Sequence, residues 1–143
     1  MYTAPMRIQA DFAETCRDRG YPAFKIHPHS DPDTDIATCR AVAEAVGDEM
    51  DLMIDPASEY ETYAETLRVG RALDDLGFFW YEDPMADVGE STYMNSRLRD
   101  EIDTSVLGGE HVRGGPHRRP TTSERTRWTW SAQTPTWTAA SPV

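Results

Sequence analysis

At 143 residues, with 38% hydrophobic side chains, the chain has enough apolar material for one domain with a real core. Fourteen basic against 25 acidic residues give a formal net charge of −11, which disfavours nucleic-acid partners. No apolar run approaches the roughly 18 residues of a membrane span. No basic-then-apolar leader opens the chain. Two cysteines, Cys16 and Cys39, are too few for a disulfide scaffold and read as buried thiols in a reducing cytoplasm.

In chain order, Ile8, Phe12, Ala13 and Cys16 form a helical stripe that Gly20 stops. A short strand follows, Ala23-Phe24-Lys25-Ile26. Asp31-Pro32 reads as an N-cap with proline in the first helical position. Ile36, Cys39, Val42, Ala43 and Val46 then recur at helical spacing up to Gly47. Leu52-Met53-Ile54 is a second strand, closed by Asp55. Tyr63, Leu67, Gly70, Leu73 and Leu76 predict a helix ended by Gly77, and Phe78–Tyr81 a third strand closed by Glu82. A weaker helix is expected over 91–101. Val106-Leu107 is a fourth strand, running through Gly108-Gly109 into Glu110.

From Pro116 the composition breaks. Residues 116–143 contain no Leu, Ile, Met or Phe, and seven of their 28 residues are Thr. Residues 1–115 carry 10 basic and 24 acidic residues; the tail carries four arginines and one glutamate. The tail has no core-forming periodicity and reads as irregular sequence foreign to the body, of the kind a shifted reading frame produces. Two segments are therefore expected, a folded domain over 1–115 and an irregular tail over 116–143. Dense carboxylate with one lysine in the whole chain, Lys25, suits concentrated salt, and a halophilic source is the expectation.

Strands alternating with helices imply right-handed βαβ units and a parallel sheet. No GxGxxG or GxxxxGK[ST] loop follows a strand, which weakens a nucleotide-binding open sheet and favours a βα barrel. Lys25, Asp55, Glu82 and Glu110 then recur once per βα unit. In a parallel barrel the strand C-termini share one face, so the three acids would converge. Their mutual repulsion is resolved by a hard divalent cation, and oxygen ligands suit Mg²⁺. Lys25 and His27, at i and i+2 on one strand, share a face. A lysine beside such an ion can have a depressed pKa or act as an electrophile, and a histidine there suits a general base. His27-Pro28-His29 also allows a nitrogen-ligand zinc site, but the later strand ends offer only carboxylates.

The ordered series Lys25-Ile26-His27, Leu52-Met53-Ile54-Asp55, Trp80-Tyr81-Glu82-Asp83-Pro84 and Gly108-Gly109-Glu110 resembles the mandelate racemase and muconate-lactonising branch of the enolase superfamily, over roughly residues 8–115. The resemblance implies an α/β fold, a partial (β/α) TIM-type barrel holding about barrel strands 2–5 with outer helices. It implies Asp55, Glu82 and Glu110 as Mg²⁺ ligands, and Lys25 and His27 as the Lys-x-His pair of the proton chemistry. The activity implied is abstraction of a proton α to a carboxylate, in a sugar acid and leading to its dehydration. Racemisation or cycloisomerisation within the same superfamily is the alternative outcome. Asp55-Pro56-Ala57 departs from the family's Asp-x-Asn, and the expectation is that the chain lacks both the family's capping domain and the strands after Glu110. The chain is accordingly expected to be an inactive fragment, or a non-catalytic metal-binding remnant, prone to self-association through exposed sheet edges.

Overall fold

In a computed structural model, which describes residues 4–86 and 92–108, helices and strands alternate: α1 (Ala4–Asp18), β1 (Ala23–Ile26), α2 (Pro32–Val46), β2 (Asp51–Ile54), α3 (Tyr63–Leu76), β3 (Trp80–Glu82), α4 (Thr92–Glu101) and β4 (Ser105–Leu107). Glu110 and the tail over 116–143 lie outside the described residues.

Local chemistry sets the boundaries. The Asp31 side chain accepts the Thr34 N–H at 2.9 Å, and Pro32 opens α2 with its fixed φ. At α3, Thr62 and Glu65 form a capping box, each side chain taking the other's backbone N–H. That helix ends at Gly77, whose φ of 69° is left-handed and suits a residue without Cβ.

The four strands lie in the order β1-β2-β3-β4, every pair parallel. Chain order equal to spatial order, with a helix between each pair of strands, makes a stretch of βα-barrel wall; a doubly wound sheet would reverse direction. One face of the sheet carries Phe24, Ile26, Leu52, Ile54 and Tyr81. These pack with Ala13, Cys39, Val42, Val46, Val69, Leu73 and Leu98 of the helices in one core. Leu73 is fully buried there, and truncating it to Ala costs about 2–5 kcal/mol.

The opposite face carries the site. Register places Lys25 beside Met53, Met53 beside Trp80 and Trp80 beside Ser105, one row across the sheet. Two residues further along each chain, His27, Asp55, Glu82 and Leu107 form the next row on the same face.

Three expectations are corrected. The α1 stripe is turned away from its expected contact. Ala13 is fully buried where α1 packs on α2, whereas Ile8 and Phe12 are exposed. Phe12 makes an edge-on contact with Phe24 of the core, ring centroids 5.8 Å apart. A small residue lets two helices approach closely, and that sets the rotation of α1. Cys16 is partly exposed for the same reason, while Cys39 is buried as expected; both are free thiols. The third strand begins at Trp80 rather than Phe78. Phe78 instead donates its N–H to Leu73 O at the close of α3, and Phe79 bonds to Leu52 O.

Candidate active site

Lys25, Asp55 and Glu82 are brought together. The Lys25 Nζ donates to Asp55 Oδ2 at 2.9 Å and to Glu82 Oε2 at 3.0 Å. His27 lies at the rim, its Nε2 3.8 Å from the same Asp55 Oδ2. Asp55 is buried, its side chain 4% exposed against 36% for Lys25. The sheet continues up to these acids. Asp55 N–H bonds to Ile26 O, and Asp83 N–H, next after Glu82, bonds to Leu107 O. Asp55 Oδ1 accepts the Ala57 N–H at 3.1 Å, which fixes the carboxylate plane and leaves Oδ2 toward Lys25.

Burial alone would lower the Lys25 pKa. The hydrogen bonds it donates to Asp55 and Glu82, with their charges, outweigh it, and the ammonium is held above its usual range. Two carboxylates within bonding distance stabilise the charged form of Lys25.

Among the described residues, four non-glycine residues have left-handed φ, Ser30 (66°), Ala57 (54°), Ser58 (64°) and Asp83 (35°). All four follow the strand ends at His27, Asp55 and Glu82. Such strain collects where surrounding structure holds a functional surface. The loops are stitched together: Ser58 N–H donates to Asp83 O at 2.7 Å, and Ala86 N–H to Tyr60 O at 3.0 Å.

Sequence reasoning missed Asp35 and Tyr60. Asp35 is fully buried, and its carboxylate takes the His29 N–H and the Tyr60 hydroxyl, each at 2.8 Å. Burial outweighs these two bonds and raises the Asp35 pKa. The available signal was position: Asp35, Cys39, Val42 and Val46 lie on one helical stripe, where an acid is out of place.

The donor set suits a hard divalent ion. Two carboxylate oxygens converge on a single cationic group, and both are oxygen ligands of the kind Mg²⁺ takes. The third expected acid, Glu110, lies outside the described residues, and among those described no group of three metal-binding side chains is assembled. At the other end of the sheet, an open cavity of about 280 Å³ is lined in part by Asp51, Asp74 and Asp103. It is a structural joint: Asp74 Oδ1 accepts the Asp103 and Thr104 N–H groups and the Thr104 hydroxyl.

The family described as enolase C-terminal domain-like matches residues 8–125. The chain belongs to that family. The family match extends past residue 115, where the expected domain ended. An arabinonate dehydratase from Saccharolobus solfataricus is 31% identical over 78 residues, 53% of this chain and 20% of the relative. A D-galactarolactone cycloisomerase from Agrobacterium fabrum is 34% identical over 98 residues, 68% of this chain and 25% of the relative. Among solved structures, a D-glucarate dehydratase from Agrobacterium tumefaciens, complexed with magnesium, is similar at a TM-score of 0.75 and 34% identity. That match covers 84% of this chain and 32% of the dehydratase. The chain thus spans between a fifth and a third of the length of these enolase-family relatives. Among the described residues, no helix is long and apolar enough to cross a membrane.

Proposed function

We propose that this enolase-family segment supplies one wall of a Mg²⁺-dependent active site that removes the proton α to the carboxylate of a sugar acid, leading to loss of water. The observation that carries the reading is the convergence of Asp55 and Glu82 on one cationic group beside a Lys-x-His pair. Asp55, Glu82 and Glu110 would hold the metal, which when bound supplies Lewis-acid stabilisation of the charge developing on the substrate carboxylate. Lys25, already charged, binds and orients that carboxylate. His27 Nε2 takes the α-proton, or returns a proton to the departing hydroxyl, according to which face of the substrate it meets.

The D-galactarolactone cycloisomerase relative favours a second outcome of the same proton chemistry, cycloisomerisation in place of dehydration. A metal-holding segment with no chemistry of its own is the remaining alternative. The described residues offer proton-transfer groups on one side only, Lys25 and His27. We therefore expect the 143-residue polypeptide, a cytoplasmic protein in this reading, to bind metal and substrate without turnover. The outer edges of β1 and β4, unpaired among the described residues, and the exposed Ile8 and Phe12 favour self-association.

The test adds a panel of sugar acids to the chain and follows their NMR line widths with and without Mg²⁺. Broadening that needs both Mg²⁺ and Lys25, without dehydration, is expected. Binding of equal strength without metal would contradict the metal reading. Turnover that disappears in His27→Asn would contradict the one-sided site.

A further inference from the structure

Asp35 is not among the strand-end acids, yet it is fully buried one turn into α2. Its Oδ1 accepts the backbone N–H of His29, and its Oδ2 accepts the Tyr60 hydroxyl, both at 2.8 Å. Tyr60 is buried as well. Its backbone pairs in parallel with Met85, and its carbonyl accepts the Ala86 N–H. One carboxylate therefore joins the loop after β1 to the loop after β2, and Tyr60 joins both to the segment after β3. These three segments leave the sheet at His27, Asp55 and Glu82. The first of them, His27 to Ser30, contains Pro28, which has no N–H, and Ser30 in a left-handed conformation. A buried carboxylate is costly unless it is hydrogen-bonded. A small apolar residue would serve the α2 stripe better if packing were its only task.

We propose that Asp35 is a positioning residue which, with Tyr60 as its relay, sets His27 against Asp55. The proposal rests on the reading of His27 as the proton-transfer group beside a metal held by Asp55 and Glu82.

The experiment uses the isotope-labelled 143-residue chain, with Mn²⁺ as a paramagnetic probe, in wild-type, Asp35→Ala, Asp35→Asn and Tyr60→Phe forms. In the wild type, Mn²⁺ is expected to broaden the His27 ring resonances. In Asp35→Ala that broadening falls several-fold while Mn²⁺ affinity changes little, because the ligand side chains are untouched. In the metal-free chain the same variant shifts the His27 ring resonances and speeds exchange of the His29 amide, which has lost its acceptor. Asp35→Asn keeps an oxygen for that amide and restores both signals. Tyr60→Phe removes only the hydroxyl and moves the signals in the same direction by less. It decides the matter should Asp35→Ala fail to fold. A folded Asp35→Ala with wild-type His27 shifts and broadening would overturn the proposal, as would an Asp35→Asn that rescues neither signal. If Mn²⁺ broadens nothing in the wild type, the metal reading fails, and the metal-free shifts still decide the role of Asp35.

Discussion

Asp35 makes a prediction about pH. Its folded pKa is raised, chiefly by burial, so the folded state holds this proton more tightly than the unfolded chain does. The stability it contributes is full below the ordinary carboxylate pKa of about 3.9. It is lost as pH rises through the raised value. The stability of the wild type relative to Asp35→Asn should therefore fall as pH increases above that point and then level off. Paired denaturant titrations from acid to neutral pH check this; a relative gain for the wild type over the same range would show that the two hydrogen bonds outweigh burial. At this scale the candidate site was half legible. Asp55 and Glu82 could be found because each closes an apolar run, and Lys25 because it sits within the first such run; strand ends share one face of a parallel sheet. Asp35 and Tyr60 were missed: the α2 stripe marks Asp35 only as an acid out of place, and its bond to Tyr60 spans 25 residues, which no local pattern records. The Lys25 charge state was also hidden, since it depends on two carboxylates meeting one nitrogen.

Among the elements, caps and alternation were the legible features. Asp31-Pro32 and Gly47 bracket α2 as expected, and β1 has the predicted bounds, because these depend on neighbouring residues alone. The rotation of α1 depends instead on how closely α2 approaches, so Ile8 and Phe12 were misplaced. Gly70 shows the same dependence. A Cβ there would stand 3.0 Å from Ile102 Cδ1 and 3.6 Å from Tyr81 Cε1. Helix α3 lies against the β3–β4 layer at that point because residue 70 has no side chain. Gly70→Leu should lower the unfolding free energy by about 1–3 kcal/mol through overpacking, despite the better helix propensity of leucine. Urea titration reads the loss; unchanged stability would mean that Ile102 moves aside freely.

Over the whole molecule, charge is the dominant property. A net −11, with 14 basic against 25 acidic residues, leaves an excess of carboxylate charge. Self-repulsion of this kind is screened by salt, so molar KCl should raise the melting temperature. A melting curve indifferent to KCl would remove the expectation of a halophilic origin. The same excess of acid bears on the site, where Lys25 faces two carboxylates and balances only one of their charges. The metal reading is tested most directly by calorimetric titration of Mg²⁺ into the wild type and Glu82→Gln. Weak but measurable binding to the wild type, lost in Glu82→Gln, is the predicted result. Equal Mg²⁺ affinity in the two proteins, or none in either, would contradict the metal site.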